Sequence, residues 1–192
     1  MLDSNEQVLV CFLKRNNGED EAKSMKRILA AVVLMLAFHP ALSEDVTLSK
    51  PEGNVILSVE GAISHTNSGD NQMLFDRAML EQLGMHVLET VTPWNDGVQR
   101  YEGPLMRDLL AAVGAKGQEV VVTALNDYSA PVPISDYYTD DVILAIKENG
   151  SYMRVRDKGP LFIVYPFDSN PQLNNELTYS RAVWQVKSIL VR

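Results

Sequence analysis

Apolar and polar positions along this chain sort into strand-like runs and two helical stripes. Val55 to Ala62 is apolar enough for a first strand, and His65-Thr66-Asn67-Ser68-Gly69 after it reads as a loop. Asp70 is placed to cap a helix reaching Leu83, with Phe75, Met79, Gln82 and Leu83 near one face and Gly84 at its end. A second helix is marked by Pro104 in its first turn, a stripe of Leu105, Leu109 and Val113, and Gly114 as a stop. Glu119 to Leu125 is a near-continuous apolar run, the pattern of a central strand covered on both faces. Ser129 to Ile134 carries two prolines and can serve only as an edge or a loop. Val142 to Lys147 and Ser151 to Arg156 flank Asn149-Gly150, whose residues accept the positive φ of a tight hairpin turn. Leu161 to Tyr165 and Ala182 to Val191 supply the last two strands, with Trp184, Val186 and Leu190 alternating against Gln185 and Lys187. The fold class this predicts is α+β, a mixed, strand-rich single domain.

The N-terminal stretch follows different rules. Lys26 and Arg27 form a short basic region, Ile28 to Phe38 run apolar without a charge, and Ala41-Leu42-Ser43 offers small residues for a signal peptidase. Residues 25–43 therefore read as a cleaved signal peptide that directs the protein to the periplasm, since eleven apolar residues fall well short of the ~20 needed for a membrane span. Residues 1–24 are polar, mixed in charge and without clear periodicity, and read as a leader or an overextended start. Residues 44–192 remain as the folded domain.

The chain has 192 residues, 46% hydrophobic and 22% charged, with a formal charge of −8 from 25 acids and 17 bases. Residues 1–43 hold as many acids (Asp3, Glu6, Glu19, Asp20, Glu21) as bases (Lys14, Arg15, Lys23, Lys26, Arg27), so the domain carries the whole of that charge. Such an acidic surface argues against nucleic acid as a partner. Cys11 is the only thiol and lies ahead of the signal, so the domain has no disulfide framework, no CxxC metal knuckle and no cysteine nucleophile. No G-x-S-x-G elbow, S-x-x-K motif or Gly-rich phosphate loop occurs. His39, His65 and His86 are too scattered for a zinc set and are read as structural or surface residues.

Polar residues nevertheless interrupt the core pattern in three places. Ala124-Leu125-Asn126-Asp127-Tyr128 ends the most apolar strand with an amide, an acid and a phenol. Ile134-Ser135-Asp136-Tyr137-Tyr138 sets a carboxylate beside two aromatics. Arg154-Val155-Arg156-Asp157-Lys158-Gly159-Pro160 gathers three bases ahead of the strand that ends at Tyr165-Pro166. Together they look like the rim of a pocket, because loops leaving strand ends often build sites.

Trp94, Glu102-Gly103-Pro104-Leu105, Ala124 to Tyr128, Arg156 to Leu161 with Tyr165-Pro166, and Arg181-Ala182-Val183-Trp184-Gln185-Val186 follow one another in an order that carries a resemblance. From about Val46 to Arg192 the chain resembles small exported proteins of the sulfite oxidase type, with a molybdopterin-binding fold. Enzymes of that family hold molybdenum through a cysteine near the end of the strand matching Val120 to Leu125, where this chain has Thr123, Ala124 and Leu125. Its cysteine-free subset is similar to periplasmic pterin-binding proteins that report to membrane-bound cyclic-di-GMP synthase and phosphodiesterase sensors. The resemblance thus implies pterin as a ligand without molybdenum, and the periplasmic domain of such a sensor as partner.

A pterin presents two N–H donors, at its 2-amino group and N3, an acceptor at O4 and two flat faces. A shielded carboxylate can take both donors, for which Asp136 is the first candidate and Asp127 the alternative. Arg156 is the candidate donor to O4, Asn126 can fix a ring nitrogen or oxygen, and Trp94 or Tyr128 can stack on a face. Three functions compete on this reading. The first is a non-enzymatic periplasmic pterin sensor. The second is a small molybdopterin-dependent oxidoreductase with an oxygen ligand such as Thr123 or Asp127, its cofactor phosphate held by Arg154, Arg156 and Lys158. The third is an interaction protein that kept the fold and lost its ligand.

Overall fold

Alternating burial along five strands builds the larger of the sheets in the computed structural model, which describes residues 50–192. The leader and signal-peptide readings lie outside the described residues. β1 (Leu57–Gly61), β2 (Met73–Phe75), β5 (Glu119–Ala124), β6 (Ser129–Pro133) and β11 (Val186–Val191) are ordered β2-β1-β11-β5-β6, with only β1 and β11 parallel. The first and last strands of the domain are therefore neighbours at the middle of the sheet. Leu57 and Val59, Val120 and Val122, Val132, and Ile189 and Val191 point one way into the core. A second, antiparallel sheet runs β3 (His86–Val91), β4 (Val98–Gly103), β8 (Lys147–Glu148) and β9 (Ser151–Tyr152), and β7 (Ile143–Ala145) pairs with β10 (Phe162–Val164). Among the described residues there are four short α-helices: α1 (Arg77–Gln82), α2 (Met106–Ala112), α3 (Ile134–Thr139) and α4 (Glu176–Arg181). The strand-rich α+β class holds.

Several local expectations are corrected. The helix expected from Asp70 to Leu83 begins only at Arg77, because Met73 and Phe75 alternate inward as a strand against Val59 and Leu57. Asn67 completes that strand's other edge, its amide accepting from Leu74 N at 2.8 Å and donating to Leu74 O at 2.9 Å. The cap is Asp76, not Asp70. β5 is buried on one face only, since Glu119, Val121 and Thr123 are half-buried between fully buried neighbours. In β11 the expected inward set fails after Val186, because a bulge at Lys187 moves the pairing from Val186–Ala124 to Ser188–Thr123. One extra residue exchanges the two faces, so Ile189 and Val191 are buried while Leu190 is exposed. Residues 142–147 divide between β7 and β8, which belong to different sheets, and Val155–Asp157 form a 3-10 turn rather than the end of a strand. Asn149 and Gly150 adopt the expected positive φ angles, 50° and 78°, in the β8–β9 turn. The sequence reading places His86 in a strand, as in β3, but β4, its pairing with β3, and α4 had no counterpart there.

Asp76 ties two parts of the chain together. One carboxylate oxygen accepts from Met79 N at 2.9 Å in the first turn of α1, and the other accepts from Gly53 N at 2.7 Å and Glu52 N at 2.9 Å. The Met79 bond first, then those from the preceding loop, holds this carboxyl below the usual range against the opposing effect of burial. A folded-state pKa below the unfolded one gives stability that is complete above about pH 4 and lost as pH falls below it. Asp76→Ala is expected to cost about 1–3 kcal/mol at pH 7 by urea denaturation. The gap to the parent chain is expected to shrink at pH 3, and a gap independent of pH would rule out this role.

Candidate functional site

The end of β5 lies beside the start of the antiparallel β11, and the chain turns sharply at both. Asp127, with φ of 67°, sits in a turn closed by Asp127 N to Ala124 O at 3.1 Å and Ala124 N to Tyr128 O at 2.8 Å. The Asn126 side chain accepts from Tyr128 N at 3.1 Å. Gln185 also has positive φ, 53°, and its carbonyl accepts from Leu125 N at 2.9 Å while its own N–H donates to Lys158 O at 2.9 Å. Trp184 is thereby held beside the β5 turn.

A cavity of about 300 Å³ lies here. Trp94, Tyr128, Tyr179 and Trp184 supply aromatic surface, Ala124, Ala182 and Val183 aliphatic surface, and Asn126 and Ser180 polar groups. Trp94 is the hub of the rings. Its centroid is 5.1 Å from Trp184, 6.0 Å from Tyr179 and 5.9 Å from Phe162, each in an edge-on contact. The Tyr128 hydroxyl donates to Ser180 O at 2.9 Å, joining the β5–β6 turn to the end of α4. α4 is itself capped by Asn175, which accepts from Thr178 N at 3.0 Å. No side chain lining the cavity carries a formal charge at neutral pH.

Charged groups around the cavity are committed to one another. Lys158 donates to the Asn95 side-chain oxygen Oδ1, and the Asn95 side-chain NH₂ donates to Glu148 Oε1 at 2.8 Å and the Tyr101 hydroxyl at 3.2 Å. This network fixes the residue next to Trp94. Burial, reinforced by the Glu148 charge, pushes the Tyr101 hydroxyl upward in pKa, so it stays protonated. Arg154 donates to Asp157 at 2.6 Å, and Arg156 lies 3.8 Å from the same carboxylate.

The six residues expected at a site are thus divided. Trp94, Asn126 and Tyr128 line the cavity. Asp127 points to solvent and accepts from Lys187 at 2.5 Å, which holds its carboxyl below the usual range. Arg156 is largely exposed on the 3-10 turn. Asp136, on α3, accepts from Arg181 at 2.8 Å and from the Tyr165 hydroxyl at 3.3 Å, and does not line the cavity. The neighbours that shelter it are Tyr165 and Arg181, whereas Tyr138 is exposed. Burial raises the Tyr137 and Tyr165 hydroxyls, and the Asp136 charge adds to both.

Sequence reasoning missed Tyr179 and Ser180, and read Ala182, Val183 and Trp184 as strand or motif residues without assigning them to a site. Tyr179 and Ser180 lie on the unanticipated α4, and no periodic signal marks a six-residue helix.

A wider depression of about 620 Å³ is lined by His86, Arg107, Asp140, Asp141 and Asn170, among others. Its groups satisfy each other, Arg107 with Asp141 at 2.6 Å and Asn170 with Asp140 at 3.0 Å. His65 bonds Ala112 O through Nδ1 at 2.8 Å, and His86 lies 3.8 Å from Asp108. Among the described residues no group of three or more His, Cys, Asp or Glu is arranged to hold a metal ion.

Residues 76–167 match the protein family described as the oxidoreductase molybdopterin binding domain. That segment is similar to the family, and the observed mixed, strand-rich fold is consistent with a sulfite oxidase-type molybdopterin-binding domain. The match covers Trp94 and the Asn126–Tyr128 turn, while Tyr179 to Trp184 lie beyond it. No curated protein matches the chain.

The donor set can be tested against the cofactor that this family name implies. At the end of β5, Ala124 offers only a methyl group, Leu125 is exposed, and the Thr123 hydroxyl is 3.0 Å from that of Ser129. The domain has no thiol. No Lys or Arg lines the cavity to meet a phosphate. These residues fit a flat, uncharged ring and do not fit a metal centre carried on a phosphorylated pterin.

Asp136 and Arg181 anchor the C-terminal end of α4, and so the Tyr179–Trp184 side of the cavity. Both side chains are only 19% exposed. Arg181→Ala, which strands a half-buried carboxylate, is expected to cost about 1–3 kcal/mol. In urea denaturation the double variant with Asp136→Ala should lose less than the sum of the two single changes. Simple additivity would mean the pair does not act as a unit.

Proposed function

We propose that this protein is a periplasmic pterin-binding sensor, not an enzyme, that signals to a membrane-bound cyclic-di-GMP synthase or phosphodiesterase. The observation that carries the ligand is the uncharged aromatic cavity at the end of β5, in a domain of molybdopterin-binding type that lacks a thiol. A pterin ring keeps the flat bicyclic surface such walls cover, while the phosphate and metal that the cavity cannot serve are absent from it. Trp94, Tyr128, Tyr179 and Trp184 cover the ring, and Asn126 and Ser180 pair with its edge. Tyr128 joins the ring site to α4 through Ser180, so occupancy can alter the rim on which a partner would act. The periplasmic location is supported by the basic, apolar and small-residue pattern of 25–43, and the partner class by the resemblance of the domain to pterin-reporting proteins.

The test is to purify the protein from cells that make both pterins and molybdopterin. After denaturation, the released material is assayed for pterin fluorescence and for molybdenum. The expected result is about one fluorescent pterin per chain and no metal. Stoichiometric molybdenum would sink the proposal in favour of a molybdopterin-dependent oxidoreductase. Release of neither would leave an interaction protein that retained the fold without a ligand.

A further inference from the structure

We infer that the free edge of β3 is a docking site for an extended, basic segment of a partner protein, which adds there as a further strand of the β3-β4-β8-β9 sheet. This deepens the signalling reading, on which it rests for the existence of a partner, by naming the surface of contact. Arg100 O accepts from Asn149 N at 2.7 Å, Arg100 N donates to Asn149 Oδ1 at 3.1 Å, and Glu102 O accepts from Ile146 N at 2.8 Å. The main-chain groups of these two β4 residues thus point away from β3. Their ladder partners are Glu89 and Val87, and in an antiparallel ladder such pairs turn their main-chain groups outward on both strands. Val91, the next residue in that series, donates its outward N–H to Asp168 Oδ2 at 3.1 Å. The N–H and C=O groups of Val87 and Glu89 have no partner among the described residues.

Other sheet edges among the described residues are protected against strand addition. The Asn67 amide occupies both main-chain groups of Leu74 in β2, and β6 carries Pro131 and Pro133. β9 is two residues long, while Leu144 of β7 and Ile163 of β10 donate to Pro104 O and Val183 O. β3 instead offers six residues paired to β4 without a bulge, and holds neither proline nor lysine. Val87 and Val91, with Val98 of β4, add exposed apolar surface along it.

Charge beside this edge selects the sign of the partner. Glu89 lies on the strand, Asp168 bonds its last residue, and Asp108 is 3.8 Å from His86 at its start. Asp140 and Asp141 line the depression that His86, Val87 and Leu88 border. Arg107 offsets Asp141, and Arg100, behind the edge, is paired with Glu102. A second copy of this chain would bring the same carboxylates against these. A segment alternating lysine or arginine with apolar residues meets the charge, the valines and the open main-chain groups together.

The test is to titrate the ¹⁵N-labelled chain with a capped hexapeptide of alternating lysine and valine, following amide NMR shifts. Saturable shifts centred on residues 86–91 are expected. The same hexapeptide N-methylated at every peptide bond keeps its charge but cannot pair as a strand, and should bind at least about tenfold more weakly. A hexapeptide alternating glutamate and valine should give no saturable shift. Val87→Pro removes an outward N–H without touching the β3–β4 ladder, and Glu89→Lys reverses the charge of the edge. Each should weaken binding of the lysine-valine peptide severalfold, with circular dichroism melts establishing that the variants fold; if Val87→Pro does not, Glu89→Lys decides. Absence of saturable binding, equal binding of the N-methylated peptide, or affinity unchanged in the folded variants would overturn the inference. So would a dimer of the parent chain that Glu89→Lys or Val87→Pro alters, which would assign the edge to a second copy. Peptide binding is read without pterin, so these failures leave ring binding untouched, and a chain that binds the peptide but releases no pterin loses the ring-binding reading alone.

Discussion

The pairing of β11 between β1 and β5 is the constraint on which the rest of the domain depends. It joins residues 57–61, 119–124 and 186–191 in one sheet and buries Val59, Val122 and Ile189 in one layer. The residues just ahead of β11 are consequently not a free loop. Val183 O accepts from Ile163 N, Gln185 bonds with both Lys158 and Leu125, and Val186 N donates to Leu161 O. Backbone bonds thus fix Trp184 against the β5 turn, and edge-on contacts place Trp94 against Trp184. Site geometry here follows from sheet closure rather than from local sequence.

Electrostatics divides the surface from the cavity. The domain is acidic, yet four of its cations, Arg154, Arg156, Lys158 and Lys187, lie in segments adjoining the cavity. Each one has a partner outside it: Asp157 for the two arginines, Asn95 for Lys158 and Asp127 for Lys187. On exposed turns such pairs contribute little stability. Their effect is on recognition, because they leave the aromatic walls without a charge to attract a phosphate.

Much of the fold was legible where one period ran undisturbed. The α2 stripe of Leu105, Leu109 and Val113, the apolar run of β5, the prolines of β6 and the Asn149-Gly150 turn each express one dominant local preference. The misses came where tertiary pairing overrode that preference. Met73 to Phe75 fits a helical face as well as a strand, and only the need of β1 for a partner decides between them. The β3–β4 hairpin was signalled by Asp96-Gly97 between β-branched runs, yet the six-residue loop around Trp94 blurred the register. Asn126, Tyr128 and Trp94, which line the cavity, could be singled out in the sequence because they are polar or aromatic groups at chain reversals. Asp136 was read from its tyrosine neighbours in sequence, and the residue that claims it, Arg181, is 45 positions away.

Placing the last-made strand at the centre of the sheet also sets the order in which the domain can assemble. Until residues 186–191 are present, β1 and β5 each expose an unsatisfied edge, and the apolar faces of both sides have nothing to close against. Such long-range closure makes folding slow and late, dominated by contacts far apart in the chain. The same step that completes the core completes the cavity, so the aromatic walls come together only in a finished sheet.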